Sequence, residues 1–167
     1  VLLDLDNTLL HNQDEQFAGA YLRLVGEYLG ARFGRGDLSI PFLSAMRALA
    51  GQRDLQQTNT ERLLSALCHE TGIPIPDIRP ALDAFHRDVY PTLERQVQPV
   101  PGAAALVQHL REQQYAVAIV TNPIYPAAAI QQRLLWAGLP SDFSAYALVT
   151  NADIMRLTKA DPAFHVE

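Results

Sequence analysis

The 167-residue chain has a single cysteine, no long apolar run and no excess of positive charge. Cys68 cannot form an internal disulfide, and no Cys/His spacing is typical of a zinc site, so we expect a reducing, cytoplasmic environment. No apolar stretch approaches the roughly 18 residues of a membrane span, and no signal peptide is visible. The net charge of −5 disfavours nucleic acid and anionic membranes as partners. An anionic ligand would therefore need a local cation or backbone N–H groups.

Two kinds of sequence pattern divide the chain. Residues 13–96 show helical periodicity and predict about four helices, which we expect to form a cap that closes over the rest of the protein and sets specificity. Residues 1–12 and 97–167 alternate apolar strands with amphipathic helices, which predicts an α/β core domain with a Rossmann-like parallel sheet. Its strands are expected at 1–5, 117–120 and 146–149, and its helices at 103–110 and 126–137.

Polar residues follow each expected strand of the core. They are Asp4 and Asp6, then Thr121 and Asn122, and then Lys159. In parallel sheets, ligands bind beyond the carboxyl ends of the strands. Taken singly, Asn122 before a proline also fits an ordinary turn, and Lys159 a solvated lysine. Two carboxylates in an apolar strand are costly unless something compensates them, and a bound divalent cation such as Mg²⁺ is the simplest compensation.

The segments DLDNTL, AIVTN and TKADPAF, in this order around a helical insertion, resemble the haloacid dehalogenase-like (HAD) hydrolase superfamily across essentially the whole chain. The DxDxT signature after an apolar strand is the most specific part of the match. The resemblance implies a Rossmann-like core, a helical cap inserted after the first motif, and the activity of a small Mg²⁺-dependent phosphatase. The partner would be a small phosphorylated metabolite; the sequence gives no indication of the oligomeric state.

The resemblance also implies a role for each of the five polar residues. Asp4 would be the nucleophile that forms an aspartyl-phosphate, and Asp6 the general acid and base. Mg²⁺ would be held by the Asp4 carboxylate and the Asp6 backbone carbonyl, which leaves the Asp6 side chain free for proton transfer. Thr121 and Asn122 would bind phosphoryl oxygens, and Lys159 would supply a fixed positive charge.

Several alternatives stay open at this point. Asp6 favours phosphate-ester chemistry over dehalogenation, because an alkoxide leaving group needs a proton and a halide does not. It does not separate a phosphatase from a sugar phosphomutase of the same superfamily. A non-catalytic binding protein on this fold is a further alternative. A phospho-accepting receiver domain is disfavoured by the long helical insertion.

The sequence departs from the family pattern in two places. Lys159 is followed by Ala160 rather than by the usual proline, which is a minor change. The acidic fourth motif, which completes the family's metal site after a further strand, does not occur before Glu167. We therefore expect a piece of a longer protein that lacks the C-terminal part of the core, with an open edge at the first strand, weak Mg²⁺ affinity and low activity.

The remaining polar candidates are expected to have ordinary roles. The five histidines have no spacing that indicates a shared metal, so surface or partly buried positions are expected. Arg53 and Arg62 of the insertion could contact substrate across the cleft, but solvated positions are the favoured interpretation.

Overall fold

The computed structural model describes residues 1–51 and 55–166, and it has the α/β architecture that the sequence predicts. The strands in the described residues are β1 (Leu2–Leu3), β2 (Leu10–Asn12), β3 (Val97–Pro99), β4 (Ala118–Ile119) and β5 (Leu148–Val149). Three of these short strands form a parallel sheet in the order β1, β4, β5, and β2 pairs antiparallel with β3.

Helices account for most of the remaining described chain. No helix there is both long and apolar enough to cross a membrane. The α-helices are α1 (Asp14–Arg32), α2 (Ser39–Gly51), α3 (Asn59–Thr71), α4 (Ile75–Asp88), α5 (Ala103–Glu112) and α6 (Ala127–Trp136). Short 3₁₀ segments are Tyr90–Gln96, Phe143–Ala145 and Pro162–Val166.

Local sequence signals define both ends of α3. Thr58 and Glu61 form a capping box, in which the Thr58 side chain accepts from the Glu61 amide and the Glu61 carboxylate accepts from the Thr58 amide. Gly72 ends the helix with a φ of 69°, a left-handed conformation that glycine adopts without steric cost. The first residues of α3 contact the loops that follow β4 and β5, so the position of this helix affects the predicted site residues there.

The four-helix segment α1–α4 leaves the sheet region after β2 and returns at β3. Its division from the sheet region into a separate domain remains a prediction, because buried side chains from both parts form one hydrophobic cluster. Tyr21 of α1 illustrates this continuity: its ring centroid lies 5.9 Å from that of Phe85 in α4 and 5.2 Å from that of Tyr125 in the sheet region.

The start of α3 is hydrogen-bonded to loops of the sheet region. The fully buried Asn59 side chain donates to the carbonyls of Pro123 (3.0 Å) and Leu157 (3.1 Å). The Thr60 hydroxyl donates to Asp153 over 2.6 Å. The helical segment is thus fastened to two loops that follow β4 and β5, the loops that carry the predicted site residues.

Candidate active site

The parallel register of β1, β4 and β5 brings the predicted site residues to one edge of the sheet. Leu2 pairs with Ala118, and Ala118 pairs with Leu148, so the carboxyl ends of the three strands meet. Asp4 follows β1, and Thr121 follows β4. The expected juxtaposition of these residues is therefore present, although the chemical roles assigned to them remain predictions.

Asp4 forms an ion pair with Lys159 across this edge. The Lys159 Nζ lies 2.9 Å from Asp4 Oδ1, and the same oxygen accepts from the Leu5 amide at 2.8 Å. The Asp4 side chain is 43% exposed and that of Lys159 30% exposed. A carboxylate that is both oriented and open to solvent can reach an incoming ligand, and the neighbouring ammonium group favours an anionic one.

A tight turn over residues 5–10 directly follows Asp4 and includes Asp6. The amides of Thr8, Leu9 and Leu10 all donate to the Leu5 carbonyl, which explains why β1 ends at Leu3 rather than at the predicted Leu5. Asn7 adopts a φ of 57°, which asparagine tolerates better than most residues. This turn directs the two carboxylates to different surroundings.

Asp6 lies in a more enclosed position than Asp4 and is held by several side chains. Arg133 Nη1 donates to both carboxylate oxygens, at 2.6 and 2.5 Å. The Asn12 amide group donates to Oδ1 at 3.0 Å, and the Thr121 hydroxyl lies 3.4 Å from Oδ2. The Asp6 side chain thus forms an ion pair with Arg133, and the role in proton transfer predicted for it stays a prediction.

The second and third motifs contact each other as well as the acids. Thr121 is buried, and its carbonyl accepts from the Thr150 hydroxyl at 2.7 Å. The exposed Asn122 side chain accepts from the Lys159 amide at 3.1 Å. A turn in which the Asp161 amide donates to the Thr158 carbonyl presents Lys159 to Asp4, so the missing proline after the lysine does not prevent this contact.

Arg133 is the site residue that the sequence interpretation missed. It is 2% exposed and lies on the buried face of α6 with Ile130 and Leu134. Burial alone would lower the pKa of this guanidinium, but Tyr90, Tyr125 and Asp6 outweigh burial and raise the pKa above its usual value. A charged residue within the apolar stripe of a helix is the signal that could have revealed it, since such residues are rarely buried without a partner.

The arginines of the insertion turn out differently from the expectation. Arg62 is not solvated: it is 8% exposed and donates to the carbonyls of Leu49 (3.1 Å) and Arg156 (3.1 Å). The prediction for Arg62 was wrong because its guanidinium satisfies backbone carbonyls at the junction of the helices with the sheet region. Arg53 lies outside the described residues.

Comparison with known proteins assigns the family. The sequence model of haloacid dehalogenase-like hydrolases matches residues 1–164, nearly the entire chain. The chain belongs to the haloacid dehalogenase-like hydrolases. This family membership confirms the resemblance drawn from the three motifs. No curated protein sequence matches this member of the family.

Several solved structures are similar to this chain over nearly its full length. CbbY of Rhodobacter sphaeroides, a mutant in complex with xylulose-1,5-bisphosphate, has a TM-score of 0.54 at 18% identity, over 99% of this chain and 68% of that one. A hydrolase from Pseudomonas syringae has a TM-score of 0.51 at 17% identity, over 99% and 66%. The L-2-haloacid dehalogenase of Xanthobacter autotrophicus has a TM-score of 0.47 at 16% identity, over 99% of this chain and 61% of that one. This HAD chain thus spans about two thirds of the length of the structures it matches.

The donors at the sheet edge meet part of what a magnesium ion requires. Asp4 offers a half-exposed carboxylate, and hard oxygen ligands of this kind suit Mg²⁺. The Asp6 carboxylate pairs with Arg133, so the metal ligand that Asp6 would offer is its backbone carbonyl oxygen. Within residues 1–51 and 55–166, no group of three or more His, Cys, Asp or Glu side chains is arranged to hold a metal. These residues therefore fit an ion that keeps several of its ligands as water.

Proposed function

We propose that this HAD hydrolase is a magnesium-dependent phosphatase that hydrolyses a small phosphorylated metabolite in the cytoplasm through an aspartyl-phosphate on Asp4. The observation that carries the proposal is the open ion pair of Asp4 with Lys159, 2.9 Å apart, with Asp6 two residues further on. A nucleophile beside a fixed cation and a second carboxylate is the minimum that two-step phosphoryl transfer needs.

In the proposed first step, a carboxylate oxygen of Asp4 attacks phosphorus, and the bond from phosphorus to the departing alkoxide breaks. Asp6 begins this step protonated and gives its proton to the alkoxide, which leaves Asp6 as the carboxylate that the second step needs. In the second step, Asp6 accepts a proton from a water molecule, whose oxygen attacks the aspartyl-phosphate and releases inorganic phosphate and the Asp4 carboxylate. Two different carboxylates are needed because the one bonded to phosphorus cannot also move the proton.

The remaining predicted residues would bind the phosphoryl group. Lys159 would neutralise charge on the phosphoryl oxygens. The Thr121 hydroxyl and the backbone N–H of Asn122 would donate hydrogen bonds to them. Mg²⁺ would be held by the Asp4 carboxylate and the Asp6 carbonyl, and when bound it would reduce the repulsion between the anionic nucleophile and an anionic substrate. Residues 13–96 would act as the cap domain and residues 1–12 and 97–167 as the core.

Hydrolysis of phosphate esters by the purified protein tests this proposal. p-Nitrophenyl phosphate and a set of small sugar phosphates should release inorganic phosphate with Mg²⁺ and not after chelation. Asp4→Asn should lower kcat at least a thousandfold, roughly the scale seen when a nucleophile is removed. Asp142→Asn is the matched control, because this exposed carboxylate precedes β5 and so lies toward the opposite edge of the sheet.

Two outcomes would contradict the proposal. Metal-dependent phosphate release by Asp4→Asn at the wild-type rate would exclude Asp4 as nucleophile. Transfer of the phosphoryl group to a second hydroxyl of the same sugar, without release of phosphate, would instead identify a phosphomutase.

A further inference from the structure

Arg133 is a buried cation in direct contact with Asp6, the proposed acid and base. The Arg133 side chain is 2% exposed and lies between two aromatic rings, with the guanidinium carbon 4.4 Å from the Phe17 centroid and 4.2 Å from the Tyr125 centroid. An apolar side chain of similar size would pack here without the several kcal/mol that burying a charge costs. The charge therefore calls for an explanation in terms of what it contacts.

The guanidinium is fixed on one side by a phenol and directed on the other to Asp6. Arg133 Nε donates to the Tyr90 hydroxyl at 2.8 Å, and Nη1 donates to both oxygens of Asp6. Phe17 belongs to α1, Tyr90 begins the 3₁₀ segment after α4, and Tyr125 follows β4. The orientation of the guanidinium is thus set by three separate parts of the chain.

We propose that Arg133 is a positioning residue that fixes the Asp6 carboxylate at the sheet edge for proton transfer, an inference that rests on the proposed function. A carboxylate on a turn would otherwise sample several rotamers, and misplacement of a catalytic group by about 1 Å can cost a hundredfold in rate. The Asp6 side chain stays 27% exposed, so its contact with Arg133 does not close it off from solvent. Arg133 itself is buried and acts through Asp6.

The dependence of rate on the leaving group separates positioning of Asp6 from a general structural role. Phenyl phosphate has a poor leaving group that needs a proton, whereas p-nitrophenyl phosphate has a good one that needs little help. Arg133→Met should lower kcat/KM for phenyl phosphate about tenfold or more beyond the loss for p-nitrophenyl phosphate. The loss should appear in kcat with KM little changed. Arg133→Lys keeps the charge without the planar fork and should fall between wild type and Arg133→Met.

Leu134→Ala is the matched control, since Leu134 is the next residue of α6, is fully buried and does not carry a charge. It should weaken packing and affect both esters equally. If Arg133→Met does not fold, the losses in kcat/KM on the two esters are compared between Arg133→Lys and Leu134→Ala instead. Equal losses on both esters for the Arg133 variants would overturn the positioning role alone. No Mg²⁺-dependent hydrolysis of either ester by the wild type would overturn the proposed function and this inference with it.

Discussion

The two acids of the DxD segment should contribute very differently to stability. Asp6→Asn removes the negative charge that compensates Arg133, which is 2% exposed and packs against the rings of Phe17 and Tyr125. Breaking a buried ion pair from one side costs about 3–5 kcal/mol. Because the Asp6 side chain is 27% exposed and asparagine can still accept a hydrogen bond, we expect the lower end, about 3 kcal/mol.

Asp4→Asn is the matched comparison at the same turn. Its partner Lys159 is 30% exposed and Asp4 itself 43% exposed, so the lysine can be solvated when the charge is lost. Such exposed pairs contribute only about 0–1 kcal/mol. The two isosteric substitutions should therefore differ by about 2–3 kcal/mol in the free energy of unfolding.

Urea unfolding at neutral pH measures this difference directly, and thermal unfolding gives a second value. For a chain of this size, about 3 kcal/mol corresponds to a decrease in Tm of roughly 6–12 °C. Equal destabilisation by the two variants, or a larger effect of Asp4→Asn, would refute the reasoning, because it would mean that the guanidinium of Arg133 does not depend on Asp6.

Two further predictions concern residues away from the acids. Burial lowers the pKa of His86 from its usual 6.5 to about 4, so between these pH values the native state keeps the imidazole neutral while the unfolded state binds a proton. The free energy of unfolding should therefore be at its full value above pH 6.5 and should fall by roughly 3 kcal/mol toward pH 4. Urea unfolding of His86→Gln should show a smaller fall over the same pH range. In α1, Gly19→Ala should stabilise the protein by about 0.5–1 kcal/mol, because no atom of the described residues lies within 4 Å of the added Cβ. Gly26→Ala should destabilise it, because the added Cβ would overlap the Ser39 backbone; equal Tm shifts for the two variants would contradict this.

Sequence order predicted the fold and the sheet-edge cluster because both follow from local signals. The apolar strands and the helical periodicity are local, and the carboxyl ends of parallel strands must meet, so the proximity of Asp4 to Lys159 followed without any knowledge of packing. The capping box of Thr58 and Glu61 at the start of α3 is a local signal of the same kind, because the two residues are close in the sequence.

The contacts that escaped prediction join residues far apart in the chain. Asp6 and Arg133 are separated by 127 positions, and nothing in either local sequence specifies that they pair. Arg62 was expected in solvent because arginine usually lies there, yet its partners are backbone carbonyls, including that of Arg156, 94 residues away. Side-chain pairs of this kind depend on how the helical segment packs against the sheet, which periodicity alone does not determine.

The central claim, that Asp4 becomes phosphorylated, can be tested by trapping the intermediate. In Asp6→Asn the first step with p-nitrophenyl phosphate needs little acid, while the second step lacks its base, so the phosphorylated protein should accumulate. After acid quenching, mass spectrometry of peptides should place the phosphoryl group on Asp4. A phosphoryl group on another residue, or continued release of phosphate with Asp4 unmodified, would contradict the account.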